Sequence, residues 1–199
     1  MASILQRFRY GRPVVVVSGL PRSGTSMSMK MLEAGGVETF IDGIRVADED
    51  NPRGYFELER VKELDKSEDK AWVKEARGKA VKVISFLLPH LPDENFYKVI
   101  FMVRPYEEIL ASQAKMLERR LEDADTSDER MTEIYENHVT RTRAMLRVRS
   151  NFAFIELRYH EVIADGLASA RKIDEFLEMK LDVKAMADVV DRSLYRNRG

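Results

Sequence analysis

The residues best suited to chemistry stand together at positions 19–26, which read Gly-Leu-Pro-Arg-Ser-Gly-Thr-Ser. The two glycines match the G-x-x-x-x-G frame of a phosphate-binding loop. Glycine adopts the backbone angles that turn successive amide N–H groups toward one anion. Around them, Arg22, Ser23, Thr25 and Ser26 offer a guanidinium and three hydroxyl groups. The chemistry that this segment predicts is the binding of a phosphate group.

The loop departs from the usual nucleotide triphosphatase pattern at one position. A triphosphatase carries lysine directly after the second glycine, whereas here Gly24 is followed by Thr25. The nearest cation is Arg22, whose guanidinium can bind phosphate through two parallel hydrogen bonds. A P-loop nucleotide kinase or triphosphatase with an altered loop stays an alternative, as does a tight strand–helix turn that binds nothing.

A second candidate anion site lies further along the chain. Arg104 follows the apolar run 99–103, and Ser112 stands eight residues after it. Ligands of open α/β sheets bind at the carboxyl ends of strands, and an arginine there can share a phosphate with a hydroxyl on the next helix. Taken alone, the pattern also fits a loop-capping arginine and an indifferent helix serine.

Together the two motifs resemble those of the sulfotransferase family. Positions 21–26, Pro-Arg-Ser-Gly-Thr-Ser, are similar to the family loop that binds the 5′-phosphosulfate of 3′-phosphoadenosine 5′-phosphosulfate. The order of apolar strand, Arg104, Pro105 and Ser112 resembles the family's 3′-phosphate motif, without the Asn or Asp that usually separates its Arg and Pro. The resemblance covers roughly residues 13–165. It implies transfer of a sulfuryl group from this donor to a hydroxyl or amine. The donor-binding residues that it implies are Arg22, Ser23, Gly24, Thr25, Ser26, Arg104 and Ser112.

Two weaker similarities to the family lie in the C-terminal part of the chain. Residues 157–161, Leu-Arg-Tyr-His-Glu, resemble the Tyr-Glu-Asp that often follows the family's fourth strand, although His160 interrupts the pattern. The similarity implies that Tyr159 lies near the adenine of the donor; the alternative is an aromatic side chain packed at a strand end. Residues 196–199 faintly resemble the family's late Arg-Lys-Gly phosphate loop, or are simply a frayed terminus.

Two side chains are candidates for the chemistry of transfer itself. Glu57 follows the segment 51–56, which resembles one in bacterial sulfotransferase-like proteins, and its carboxylate could take the acceptor's proton. The alternative is a solvated glutamate at a helix start. Lys82 interrupts an apolar strand, where a lysine is costly unless it is paired or directed at an anion. The resemblance implies that Lys82 touches the bridging oxygen of the donor; the alternative is an exposed sheet edge.

The histidines carry weaker signals. His138 lies on the apolar side of a long helix and fits a hydrogen-bonded packing residue better than a base. His90 stands between two prolines and receives no role.

The elements that position these residues alternate between strands and helices. Apolar runs at 13–18, 80–86, 98–103 and 152–157 predict buried strands. Helices are predicted at 25–34, 56–76, from Pro105 to about 122, from 128 to about 148, 167–179 and 183–190. This alternation predicts an α/β protein with a three-layer P-loop fold, in which a mostly parallel central sheet has helices on both faces. The length suits a single domain over residues 1–199.

Composition narrows the class of protein. With 33 basic and 34 acidic side chains the net charge is −1, which argues against a dedicated nucleic-acid binder. There is no cysteine, which excludes disulfides and thiolate metal sites, and the three histidines lack ligand spacing. No metal site is therefore predicted, and transfer needs no metal if cations surround the leaving group.

The sequence predicts a cytoplasmic protein without membrane association. Its apolar runs are too short to span a membrane, and its polar start lacks the apolar core of a secretion signal. The expected partner is a small-molecule or glycan acceptor. A homodimer stays open, because the helix 128–148 has apolar surface for either a core or a dimer face. A non-catalytic nucleotide-binding module is the remaining alternative.

Overall fold

The computed structural model describes residues 4–43, 56–120 and 126–191. In these ranges the centre of the protein is a four-stranded sheet with the order β2-β1-β3-β4. Its strands are β1 (Val14–Gly19), β2 (Ala80–Lys82), β3 (Tyr97–Val103) and β4 (Phe152–Arg158). Each neighbouring pair is parallel.

Helices connect the strands and cover the sheet. They are α1 (Ile4–Tyr10), α2 (Thr25–Ala34), α3 (Glu59–Lys62), α4 (Tyr106–Arg120), α5 (Asp128–Val148), α6 (Tyr159–Ala164), α7 (Gly166–Leu177) and α8 (Val183–Asp188). Two 3₁₀ helices span Ala71–Ala76 and Ser85–His90. Within the described ranges, none of the helices combines the length and the apolar character that crossing a membrane requires.

The sheet separates two apolar clusters, because side chains along a strand alternate between its faces. Val14 and Val16 of β1 point to the side of α3, α4, α5 and the 3₁₀ helices. Val15 and Val17 point to the side of α2, α6, α7 and α8. All four valines are buried, as expected for a strand covered on both faces. The fold therefore is α/β with helices on both faces of a parallel sheet, and the predicted fold class is confirmed.

The prediction of one helix over residues 56–76 is wrong. This segment contains α3, a series of turns and the 3₁₀ helix Ala71–Ala76. Ser67 Oγ donates to the Asp69 carbonyl at 3.2 Å, and Asp69 Oδ1 accepts from the Ala71 amide at 3.0 Å. Serine and aspartate side chains that bind nearby backbone compete with the helical hydrogen-bond ladder, which explains the interruption.

The strand predicted at 80–86 is shorter than expected. Lys82 is the last residue of β2, and its partner Val17 lies two residues before the end of β1. The Val83 amide still donates to the Val17 carbonyl at 3.0 Å, but the pairing stops there although β1 continues to Gly19. The chain instead enters the 3₁₀ helix Ser85–His90. Helices α1 and α6 are further elements that the sequence did not predict.

The outer edge of β2 is covered by the residues that follow α2. The Ala80 amide donates to the Glu38 carbonyl at 2.8 Å, and the Phe40 amide donates to the Ala80 carbonyl at 2.7 Å. Thr39 forms a parallel bridge with Ala80. This short segment therefore occupies the hydrogen-bonding side of β2 that faces away from β1.

Candidate functional site

The loop between β1 and α2 makes a tight turn at the carboxyl edge of the sheet. The Ser23 amide donates to the Leu20 carbonyl at 3.2 Å, and the Ser28 amide donates to the Gly24 carbonyl at 3.2 Å. Arg22 has a φ of 69°, which is uncommon for a residue with a side chain. Strained backbone of this kind often accompanies ligand-binding loops.

Both glycines of the loop are required sterically. A Cβ on Gly19, which has a φ of 148°, would lie 2.6 Å from the Met102 carbonyl oxygen. A Cβ on Gly24, which has a φ of 101°, would lie 2.6 Å from Cδ2 of Tyr159. The loop can therefore pack against β3 and Tyr159 only because these two side chains are missing.

The Ser23 hydroxyl is buried in this loop. Among the described residues it has no hydrogen-bond partner. A buried hydroxyl without a partner is costly, so such groups usually meet a ligand or a water. Ser23 also lines a small cleft together with Arg104, while the other walls are mainly apolar side chains of β3, α4 and α5. An anion in the loop would give Ser23 the partner that it lacks.

The two predicted anion motifs meet in the structure. Nε of Arg22 donates to Oγ of Ser112 on α4 at 3.0 Å. Nη1 of Arg104, which follows β3, donates to the carbonyl oxygen of Arg22 at 3.2 Å. β1 and β3 are neighbours in the parallel sheet, so the segments that follow them lie side by side. Two guanidinium groups therefore lie in one place where the strands end.

Arg104 also contacts Glu108 and Tyr159. Its Nε donates to Oε2 of Glu108 at 2.8 Å, and its guanidinium carbon lies 4.4 Å from the centre of the Tyr159 ring. Glu108 was not among the predicted site residues. Its spacing of four from Arg104 was a weak signal, because pairs at this spacing are expected within a helix and Arg104 lies before α4.

Tyr159, the first residue of α6, is buried between the two motifs. Its ring lies close above Gly24 and against Arg104. Burial raises the pKa of the Tyr159 hydroxyl, and the positive charge of Arg104 partly opposes this effect. The ring is therefore neutral at physiological pH and joins the phosphate loop to the Arg104 region.

The two candidate catalytic residues form an ion pair. Nζ of Lys82 lies 3.4 Å from Oε1 of Glu57, and the side chains are 7% and 18% exposed. Lys82 belongs to an edge strand but is nevertheless buried, so the exposed-edge alternative is wrong. The other oxygen of Glu57 lies 3.7 Å from Nζ of Lys62, whose side chain is 49% exposed. Because Lys82 is in register with Val17 of β1, the pair lies beside the strand that leads into the phosphate loop.

The remaining predicted residues lie as follows. Thr25 and Ser26 are the first two residues of α2, where backbone N–H groups are available to an anion. His138 is partly buried, stacks on Phe86 with ring centres 3.8 Å apart, and shares a 2.9 Å hydrogen bond with Ser85 Oγ. His90 is exposed. Residues 51–55 and 196–199, which carry two of the similarities noted above, lie outside the described residues.

In the ranges that the structure describes, no cluster of His, Asp and Glu side chains has the composition of a metal site.

Comparison with known proteins identifies the family of this chain and shows which solved structures share its fold. The profile of the sulfotransferase domain matches residues 12–198. The sulfotransferase domain of the Synechococcus PCC 7002 olefin synthase is similar with a TM-score of 0.56 and 16% identity, over 96% of this chain and 84% of that one. Mouse sulfotransferase SULT7A1, solved in complex with PAP, gives a TM-score of 0.53 and 17% identity, over 90% of this chain and 62% of that one. At these identities the structural likeness concerns the fold alone. No curated protein matches the chain.

Proposed function

This chain belongs to the sulfotransferase domain family, and we propose that it moves a sulfuryl group from 3′-phosphoadenosine 5′-phosphosulfate to a hydroxyl or amine acceptor. The acceptor would be a small molecule or a glycan. Family membership supports transfer of a sulfuryl group, whereas the donor and the acceptor class are the finer parts of the proposal.

The observation that carries the proposal is the contact between the two anion motifs. Arg22 of the phosphate loop donates to Ser112, and Arg104 donates to the backbone of Arg22. A ligand that engages both motifs would carry one anionic group for the loop 19–26 and a second for Arg104 and Ser112. A nucleotide that carries both a 5′-phosphosulfate and a 3′-phosphate meets this requirement, and ATP does not carry a 3′-phosphate.

The residues present fit such a donor. The hydroxyl of Ser23 is buried without a partner among the described residues, and a phosphate oxygen would supply one. In the proposal Arg22, Ser23, Gly24, Thr25 and Ser26 hold the 5′-phosphosulfate. Arg104 and Ser112 hold the 3′-phosphate, and Tyr159 contributes an aromatic wall toward the adenine.

The chemical step joins the acceptor to sulfur and releases the nucleotide. An acceptor oxygen or nitrogen forms a bond to sulfur, and the bond between sulfur and the bridging oxygen of the 5′-phosphate breaks with its electron pair on that oxygen. The acceptor's proton passes to the carboxylate of Glu57. Arg22, the loop amides and Lys82 stabilise the charge that develops on the leaving phosphate.

The pairing of Glu57 with Lys82 is consistent with this division of roles. The 3.4 Å contact places a proton acceptor and a cation side by side. Two reacting groups that are positioned in advance lower the entropic part of the barrier. Since both side chains are largely removed from water, their electrostatic effects on a nearby reacting group are stronger than at an open surface.

Binding of 3′-phosphoadenosine 5′-phosphate and of ATP, compared by calorimetry without magnesium, tests the proposal. We expect clear preference for the 3′-phosphorylated nucleotide, followed by transfer from the full donor to members of an acceptor panel of phenols, alcohols, amines and sugars. Preference for ATP with magnesium-dependent turnover would point to a kinase or triphosphatase. Donor binding without transfer to any member of the panel would favour a non-catalytic binding module.

A further inference from the structure

The contact between Arg104 and Glu108 is more than a surface ion pair. Nε of Arg104 and Oε2 of Glu108 are 2.8 Å apart, and the two side chains are only 7% and 10% exposed. Glu108 lies in the first turn of α4, on the same helix as Ser112. Its neighbour in sequence, Glu107, is exposed. One of two adjacent glutamates is therefore turned inward, onto the arginine proposed to bind the 3′-phosphate.

Burial explains why Arg104 needs such a partner. A guanidinium remains charged at all relevant pH values, and a buried charge is costly unless it is paired. A bound phosphate would balance this charge only while the ligand is present. Glu108 balances it at all times, and since the carboxylate is an acceptor on the Nε side, it also fixes the direction in which the guanidinium points.

Two other groups restrict the same side chain. Nη1 donates to the Arg22 carbonyl at 3.2 Å, and the flat face of the guanidinium lies on the Tyr159 ring at 4.4 Å. Contacts at Nε, at Nη1 and on one face leave the guanidinium little freedom to rotate. A binding group that is already ordered loses less entropy when the ligand arrives.

Building on the proposed function, we infer that Glu108 is a positioning residue: it holds Arg104 ready for the 3′-phosphate and thereby sets the preference for a 3′-phosphorylated nucleotide. Glu108 does not touch the donor. It acts through Arg104, so its removal affects ligands with a 3′-phosphate and spares ligands without one.

The test measures two dissociation constants by calorimetry on the full chain. The quantity compared is the dissociation constant of adenosine 5′-phosphate divided by that of 3′-phosphoadenosine 5′-phosphate, so a high ratio means a strong preference for the 3′-phosphate. Ordering one long side chain on binding costs up to about tenfold in affinity, so we expect Glu108→Ala to lower this ratio by up to about tenfold. Glu108→Gln keeps an oxygen acceptor for Nε, so we expect it to retain most of the ratio. Glu107→Ala removes the adjacent exposed carboxylate and should leave the ratio unchanged.

A further variant covers the case in which Glu108→Ala does not fold. Glu108→Asp keeps the negative charge but is one methylene shorter, so it loses the reach to Nε. We expect the ratio to fall in Glu108→Asp as in Glu108→Ala. In the Arg104→Lys background, which lacks Nε–H in this place, changing Glu108 to Gln or Asp should have no further effect on the ratio.

The possible failures can be told apart. If the wild-type protein does not prefer the 3′-phosphorylated nucleotide, the proposed function is wrong. If the wild type has this preference and both Glu108→Ala and Glu108→Asp keep it, the inference about Glu108 is wrong while the proposed function stands. An increase in the ratio in Glu108→Gln and Glu108→Ala alike would mean that the carboxylate chiefly repels the phosphate, and it would also overturn the inference.

Discussion

The side chain of Arg22 donates a hydrogen bond from Nε to Oγ of Ser112 at 3.0 Å, although the two residues are 90 positions apart in the chain. Arg22 belongs to the loop after β1, and Ser112 belongs to α4 after β3. The contact joins two motifs that the sequence presents separately.

We predict that Arg22 and Ser112 contribute to nucleotide binding in a coupled way. A double-mutant cycle with Arg22→Met and Ser112→Ala should give a coupling energy of about 0.5–3 kcal/mol for 3′-phosphoadenosine 5′-phosphate, as is typical of residues in contact. Calorimetry on the four proteins provides the measurement. The pair Arg22→Met and Glu107→Ala serves as the control and should be additive. Additivity in both pairs would contradict the prediction.

Arg104→Lys tests the geometry of the second guanidinium. Lysine keeps the charge that Glu108 balances, so the buried carboxylate retains a cation beside it, but lysine lacks the planar fork of donors. We expect 3′-phosphoadenosine 5′-phosphate to bind about 10-fold to 100-fold more weakly, since hydrogen bonds to charged groups are lost. Adenosine 5′-phosphate should bind almost as before. Arg158→Lys, at an arginine that is 65% exposed, is the matched control. Equal weakening of both nucleotides by Arg104→Lys would refute the proposed role.

Lys82→Met should slow transfer without weakening donor binding. Removing one group that stabilises developing charge typically costs about 10²-fold to 10³-fold in kcat. The rate would be measured with the best acceptor from the panel, and donor affinity by calorimetry. Lys62→Met removes the exposed lysine that contacts the same glutamate, Glu57, at 3.7 Å. We expect this control to keep nearly full activity, and an equal loss in the two variants would assign Lys82 to folding or general electrostatics.

Gly24→Ala should lower the stability of the protein by more than backbone strain alone explains. Gly24 and Gly36 both have positive φ, at 101° and 92°. A Cβ on Gly24 would lie 2.6 Å from the Tyr159 ring, whereas a Cβ on Gly36 would meet nothing within 4 Å. Gly36→Ala therefore reports backbone strain alone, of order 1–3 kcal/mol. We expect Gly24→Ala to lower the melting temperature further and to abolish nucleotide binding. Similar melting temperatures for the two variants would show that Tyr159 can move away.

The pH dependence of stability should report the partial burial of His138. Burial lowers the pKa of this imidazole below its usual value of 6.5. The folded protein then keeps His138 neutral while the unfolded chain takes up a proton, so the free energy of unfolding falls as the pH drops through 6.5. Above pH 6.5 His138 is neutral in both the folded and the unfolded chain, so its protonation no longer lowers the free energy of unfolding.

Melting temperatures of the wild type, His138→Gln and the control His90→Gln, measured between about pH 5 and 8, where histidine titrates, test this expectation. The curve of His138→Gln should be flatter on the acidic side than that of the wild type. His90→Gln removes an exposed histidine and controls for the loss of a histidine as such. A curve for His138→Gln that runs parallel to the wild type would contradict the prediction.

The loop 19–26 and its flanking elements could be predicted because their signals are local. A run of valines gives β1, and helix α2 covers the predicted residues Thr25–Ala34 before Gly35 and Gly36. The alternation of strands and helices also predicts parallel strands, which places Arg104 and this loop at the same edge of the sheet. That β1 and β3 are direct neighbours is a finding of the structure.

Other features depend on the path of the chain in space. The pairing of Glu57 with Lys82 joins residues 25 positions apart, through a segment that was wrongly predicted as one helix. Glu108 was missed because a glutamate in the first turn of a helix usually serves the helix dipole. Only the position of the Arg104 side chain distinguishes it from the exposed Glu107. Such distinctions depend on which way a side chain turns, and the sequence pattern does not contain that information.

The segment that covers the outer side of β2 bears on how copies of this protein can associate. Unpaired strand edges are the usual route to edge-to-edge aggregation and to dimers built on one shared sheet. At Ala80 the backbone groups on that side are already bonded to Glu38 and Phe40, and β2 has only three residues. Within the described sheet, the opposite edge is formed by β4. A second copy that extended the sheet there would not pair with the strand that carries Lys82.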